Sequence, residues 1–148
     1  MALPELTEIG DLPVGVHNAT LGETIQRFGA GSDRRKLLAL RLRRIYEIVQ
    51  STRRLSRFVV FGSFVTSKDE PNDVDIFVIM DDEFDFSMLG GDARLLFDHA
   101  AAQSHFGCSV FWVRRLAAMG GEQAAIEDWQ IKRDGTERGI VEVTGERT

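Results

Sequence analysis

Two aspartates alternate with apolar residues at the beginning of a hydrophobic run, in the segment Asp73-Val74-Asp75-Ile76-Phe77-Val78. Side chains of a β-strand point alternately to its two faces, which predicts Asp73 and Asp75 on one face, about 7 Å apart. Val74 and Ile76 are then predicted to point the other way, into a core. Two carboxylates on one face repel each other unless something neutralises them. The pattern therefore predicts a strand with one apolar face and one acidic face that favours a bound cation.

Helical and strand patterns alternate along the rest of the chain. A capping box of Thr20 and Glu23 begins a helix, and Asp33 is predicted to cap a second, longer one. The predicted elements are helices over 20–28, 33–52, 93–105 and 122–131 and strands over 58–61, 74–80, 109–113 and 139–143. This order predicts an α/β (α+β) fold with a small mixed β-sheet flanked by helices. Residues 1–19 are predicted to be an extended N-terminal arm, and residues 20–148 a single domain.

Composition excludes several classes of protein. The chain has one cysteine, Cys108, so neither an internal disulfide scaffold nor a cysteine-rich zinc site is possible. No apolar run approaches the roughly 20 residues that a membrane span needs. The first ten residues contain no basic residue, which is unlike a signal peptide. We therefore expect a soluble, cytoplasmic protein without a membrane contact.

The formal net charge of −5 is an average over two opposite blocks. The stretch from Arg34 to Arg57 holds nine basic residues and one acid, and the stretch from Asp69 to Asp98 holds ten acids and one base. Two interpretations of the basic block stay open. It is either the solvated face of a helix, or a surface that contacts RNA phosphates or an acidic partner.

A second motif precedes the two aspartates. Gly62 and Ser63 directly follow the apolar run at 58–61. Without a Cβ at Gly62 the backbone can approach a ligand closely, and amides of a following turn can donate to phosphate oxygens. Ser63 adds a hydroxyl donor. Mg²⁺ binds through one or two carboxylates together with phosphate oxygens and water. Metal and phosphate sites are thus predicted at the ends of two adjacent strands.

The joined pattern of an apolar strand, Gly-Ser, about ten residues and Asp-apolar-Asp resembles the nucleotidyltransferase superfamily. The specific match covers residues 58–80. The order and size of the other elements are similar to the minimal, single-domain members of that superfamily, such as those of prokaryotic toxin–antitoxin pairs, and to uncharacterised bacterial proteins with the same fold.

The resemblance implies transfer of a nucleoside monophosphate from a triphosphate, with ATP the expected donor, to a hydroxyl of a protein, RNA or small molecule. Asp73 and Asp75 would be catalytic and hold Mg²⁺, with two ions about 4 Å apart as the expected arrangement. Gly62 and Ser63 would bind the β- and γ-phosphates. Lys68 would either reach a phosphate or be an ordinary surface lysine.

The chain departs from the superfamily pattern at the third carboxylate. Ser109 stands where that acid is expected, and a serine is neither an anionic metal ligand nor an effective base at neutral pH. Glu142 is the candidate catalytic substitute if its strand borders the site, and otherwise a half-exposed strand residue. The alternative function is therefore a catalytically degenerate, antitoxin-like module that binds a toxin-like protein or forms a homo-oligomer.

Two histidines and the two tryptophans are further candidates for a functional role. His99 and His105 are six residues apart, so they do not share a helix face or a metal. His99 is predicted to pack on one edge of its helix. Trp112 and Trp129 are predicted to be core or interface aromatics, with stacking on a nucleobase as the alternative.

Overall fold

A computed structural model describes residues 3–145. The strands are β1 (Val16–Thr20), β2 (Leu55–Phe61), β3 (Asp75–Met80), β4 (Ser109–Arg114) and β5 (Ile140–Thr144). The helices are α1 (Leu21–Phe28), α2 (Asp33–Ser51), α3 (Gly91–Leu96), α4 (His99–Phe106) and α5 (Glu122–Glu127). Among these helices none is long and apolar enough to cross a membrane.

The five strands form one mixed sheet in the order β1-β5-β2-β3-β4. The outer pairs β1–β5 and β3–β4 are parallel, and β2 is antiparallel to both β3 and β5. The predicted α/β class with a small mixed sheet is confirmed. Strand β4 lies at one edge of the sheet, so one side of its backbone is unpaired by other strands.

Both faces of the central strands are buried. Alternate residues of β3 (Ile76, Val78 and Met80) are fully buried in the larger core, together with apolar residues of α1, α2 and α4. Phe77 and Ile79 point to the opposite face and pack in a smaller core with Ile126 of α5. The predicted alternation along β3 is therefore confirmed, and it explains why this strand has no polar position after Asp75.

The predicted elements differ from the structure in several bounds, and three of the differences have a clear physical reason. Residues 16–19 of the predicted arm, together with Thr20, form β1, an edge strand whose one buried residue is Ala19, so no apolar alternation marks it. The helix predicted over 93–105 is two helices, because the Asp98 carboxylate accepts the amide of Ala101 at 3.1 Å and starts α4 anew. Ser32, one residue before Asp33, is the N-cap of α2. The Thr20–Glu23 capping box is confirmed.

A buried arginine holds the loop that follows β2. Arg35, near the start of α2, is 7% exposed. Its guanidinium donates to four backbone carbonyls at 2.5–3.0 Å, those of Phe28, Phe64, Thr66 and Lys68. Burial lowers the pKa of Arg35, while Asp69 and Glu70 oppose that shift. Since three of these carbonyls lie in residues 63–68, Arg35 fixes the path of the chain immediately after Gly62.

Candidate functional site

Four strand ends meet at one end of the sheet. Phe61 at the end of β2 pairs with Asp75 at the start of β3, and Asp75 pairs with Ser109 at the start of β4. The loop before β5 reaches the same end. These segments surround an open cleft of about 650 Å³ that Gly62, Ser63, Asp75 and Ser109 line. The sheet topology thus gathers residues that are far apart in the sequence.

Asp73 and Asp75 form a carboxylate pair beside Ser109. The Ser109 hydroxyl donates to Asp73 Oδ2 at 2.9 Å and accepts from the Gln103 amide at 3.2 Å. Burial, followed by the negative charge of Asp73, raises the pKa of Asp75 to about 6, against the Ser109 hydrogen bond and the charges of Arg138 and Arg133. A buried carboxyl that is repelled by its neighbour is a place where a cation would relieve the repulsion.

Gly62 makes room for this carboxylate. Its φ is +80°, in the region that favours glycine, and a Cβ built there would lie 2.9 Å from Asp75 Cγ. Gly62 was predicted as a point where the backbone approaches a ligand closely, and in the structure the group that approaches it is the Asp75 carboxylate. Ser63 follows as the first residue of a short 3₁₀ turn, Ser63–Val65.

Replacing Gly62 by alanine should displace Asp75 and strain the backbone. We expect Gly62→Ala to lower the free energy of unfolding by about 2 kcal/mol. Urea denaturation measures this change. Gly90→Ala is the matched control, because Gly90 has an extended backbone and open space around its missing Cβ. Equal stability of the two variants would contradict the close approach.

Cationic and aromatic side chains form the other walls of the cleft. Lys132, Arg133 and Arg138 line it from the loop before β5, and Arg138 lies 3.8 Å from the Asp11 carboxylate. Trp129 contributes an aromatic wall, with ring centroids 4.5–5.0 Å from three phenylalanines of the sheet, Phe61, Phe77 and Phe111. The cleft thus combines a carboxylate pair with three cations, an arrangement suited to a metal-bound polyphosphate.

These three cations were not predicted from the sequence. Lys132 and Arg133 precede the turn at Asp134 and Gly135, and Arg138 follows it. A cluster of basic residues next to a turn is a weak signal, because it is equally typical of a solvated loop. Their place in the cleft follows from the pairing of β5 with β2, which brings the loop to the end of the sheet.

Two tentative site residues lie outside the cleft. Lys68 is exposed, and its carbonyl accepts from Arg35. Glu142 lies in β5 opposite Val59, and the Arg57 guanidinium donates to both of its carboxylate oxygens at 2.6 and 2.7 Å. Because β2 separates β5 from β3, the strand of Glu142 does not border the carboxylate pair. The substitute role predicted for Glu142 thus lacks the geometry that it required.

Several arginines of the basic block form ion pairs with acidic residues of the same chain. Arg44 pairs with Asp92 at 2.8 Å, and Arg54 with Glu83 at 3.0 Å, both in the acidic block. Arg57 pairs with Glu142, and Arg35 is buried. The two opposite blocks therefore contact each other, which favours the interpretation of a solvated, internally paired helix over an RNA surface.

The chain is a mixed α/β protein whose cleft is lined by Asp75, which lies near the charge of Asp73, and by three cationic side chains. It belongs to a family of unknown function (DUF6932), because the model of that family matches residues 4–144. No curated protein and no solved structure shows significant similarity to it. Its function therefore has to be argued from the site.

Proposed function

We propose that the protein is a Mg²⁺-dependent nucleotidyltransferase that moves a nucleoside monophosphate from a triphosphate, ATP in the first instance, to a hydroxyl of a protein, RNA or small molecule. The observation that carries the proposal is the Asp73–Asp75 pair. Asp75 lines the cleft together with Gly62, Ser63, Lys132, Arg133 and Arg138, and Asp73 is hydrogen-bonded to Ser109, which also lines it. This arrangement matches a ligand with a divalent cation at one end and several anionic oxygens along its length.

The donor set fits magnesium. Within residues 3–145 no group of three or more histidine, cysteine, aspartate or glutamate side chains could hold a metal ion. Two carboxylates are nevertheless enough for Mg²⁺ when phosphate oxygens and waters complete its shell. Asp73 and Asp75 would hold the ion, which when bound would neutralise charge on the reacting phosphates. Burial and then the charge of Asp73 raise the pKa of Asp75, and a bound cation would relieve the repulsion between the two carboxylates.

The other residues of the cleft have distinct tasks in this proposal. The open backbone at Gly62 and the hydroxyl of Ser63 bind the β- and γ-phosphates. Lys132, Arg133 and Arg138 neutralise the polyphosphate from the loop before β5, and Asp11 orients Arg138. Because one cysteine cannot make an internal disulfide, we expect this reaction in the reducing cytoplasm.

A second candidate function is a degenerate nucleotidyltransferase fold that binds a protein partner, either a toxin-like protein or a second copy of the chain. The position of Ser109 favours it, because this residue pairs with Asp75 where a third carboxylate was expected. The engagement of Glu142 by Arg57 also favours it, because it leaves that acid unable to replace the missing one.

Calorimetric titration of ATP, and then of the other nucleoside triphosphates, tests the proposal. We expect binding in Mg²⁺ that disappears in EDTA and that weakens by about 100-fold or more, to below detection, in Asp73→Asn/Asp75→Asn. The matched control is Asp69→Asn/Glu70→Gln, which removes the same charge from exposed residues outside the cleft. If the folded wild type binds no triphosphate, the partner-binding function is favoured instead.

A further inference from the structure

His99 lies at the start of α4 and lines the candidate site. Its ring centroid is 4.8 Å from that of Phe111, and its Nδ1 lies 3.3 Å from the carbonyl oxygen of Val110. A carbonyl can only accept a hydrogen bond, so Nδ1 carries the proton of the neutral ring. The second nitrogen, Nε2, then has a free lone pair on a side chain that is exposed to the cleft.

The helix face of His99 is connected to the carboxylate pair through hydrogen-bonded side chains. Gln103 lies four residues further along α4, and residues at this spacing are neighbours on one helix face, about 6 Å apart. Gln103 donates to Ser109, which donates to Asp73. His99 is therefore one helical turn from a side chain that is hydrogen-bonded into the carboxylate site.

The sheet order also gives the cleft two sides. Gly62 and Ser63 follow β2, and Arg138 lies two residues before β5, so these three residues lie on one side of β3. His99 contacts β4, on the other side of β3. With the polyphosphate on the β2 and β5 side, the side of β4 is left for the acceptor.

We propose that His99 is the general base of the reaction, a role that rests on the proposed function. Nε2 takes the proton of the acceptor hydroxyl, whose oxygen forms a bond to the α-phosphorus. The bond from that phosphorus to pyrophosphate breaks, and pyrophosphate leaves with the electron pair. The imidazolium then gives its proton to solvent. His99 thereby supplies the proton acceptor that neither Ser109 nor Glu142 can be.

The tautomer of His99 is the first test, and it requires no acceptor. In ¹⁵N-labelled protein we expect the neutral His99 ring to carry its proton on Nδ1. His17 is an internal reference with the opposite tautomer, because its Nε2 lies 2.6 Å from the carbonyl oxygen of Pro13. A neutral His99 with its proton on Nε2 would overturn the proposal.

The second test separates catalysis from binding. The side-chain amide of His99→Asn can still donate to Val110, but this variant has no basic nitrogen. With ATP, Mg²⁺ and water as the acceptor, we expect its release of pyrophosphate to fall by about 100-fold or more. The Kd for ATP in Mg²⁺ should stay unchanged, and added imidazole should restore turnover to His99→Ala.

His105→Asn is the matched control. His105 lies on the same helix and pairs with Asp92 at 3.6 Å, so this variant should change neither binding nor turnover. Wild-type turnover in His99→Asn, or loss of its ATP binding, would overturn the role of base. If the wild type binds ATP but releases no pyrophosphate, the base role and the transfer reaction both fall. The magnesium-dependent binding site is tested separately, by the titration of Asp73→Asn/Asp75→Asn.

Discussion

Arg35→Met should lower the free energy of unfolding by about 4 kcal/mol. The substitution removes the donor of four carbonyls, three of which lie in the loop after Gly62. Carbonyls that lose this charged donor stay buried, so they have neither water nor a hydrogen-bond donor as a partner, and this destabilises the folded state. In a chain of this length a loss of that size lowers the melting temperature by roughly 10 °C. Thermal and urea unfolding measure it.

Two further variants make this test specific. Arg35→Lys should recover only part of the loss, because an ammonium group cannot reach four carbonyls as a planar guanidinium does. Arg34→Met is the matched control, since Arg34 is exposed and lies 3.9 Å from Glu70 in a weak ion pair. We expect the control to change stability by less than about 0.5 kcal/mol. Similar losses for Arg34→Met and Arg35→Met would show that the buried hydrogen bonds are not the cause.

Arg35 also illustrates what local sequence patterns leave out. In the sequence it is one of nine basic residues in a block that resembles a solvated helix face. Its burial depends on the end of α1 and on the loop after β2, which lies about 30 residues away in the chain. No periodicity within α2 encodes those acceptors, so sequence reasoning assigned Arg35 to the surface.

The predictions that the structure confirms depend on short-range rules. The alternation along β3 follows from the two-residue period of a strand, and the Thr20–Glu23 box from hydrogen bonds across three residues. By contrast, β1 joins the sheet through β5, more than 100 residues later in the chain. Its sequence shows no alternation because an edge strand here buries a single side chain, Ala19.

The residues of the candidate site also fall into two groups: those that sequence spacing predicts, and those whose positions depend on the whole sheet. Gly62, Ser63 and Asp75 could be selected because spacing alone places them at adjacent strand ends, as the register of β2 and β3 shows. Arg138 and His99 enter the cleft from loops and helix ends whose positions depend on the whole sheet. Glu142 was selected for its residue type, but its side chain is held by Arg57 on a neighbouring strand.

Asp75→Asn should stabilise the metal-free protein while it abolishes magnesium-dependent binding of nucleotide. Burial and the charge of Asp73 raise the pKa of Asp75 to about 6, so the ionised carboxylate destabilises the folded state at neutral pH. An amide has no charge to desolvate. We expect a gain of about 2 kcal/mol in the free energy of unfolding at pH 7.5 in EDTA, together with the loss of any response to Mg²⁺ and ATP.

The effect of Asp75→Asn on the free energy of unfolding should depend on pH. In the unfolded chain Asp75 titrates near its ordinary pKa of about 4, so between pH 4 and 6 the folded protein binds more protons than the unfolded one. The contribution of Asp75 is therefore present below this window and is lost as the pH rises through 6. Asp75→Asn should remove that slope, so its advantage over the wild type grows from pH 4 to above 6 and then stays constant.

Magnesium should act on the wild type in the opposite direction. A cation competes with the proton for the same carboxylate, so Mg²⁺ and ATP should stabilise the wild type more at pH 8 than at pH 5. Asp69→Asn, an exposed aspartate outside the cleft, should keep the slope and the response of the wild type. If Asp75→Asn instead loses stability at pH 7.5, Asp75 is a structural acid whose charge the fold requires, and the cleft loses its central metal ligand.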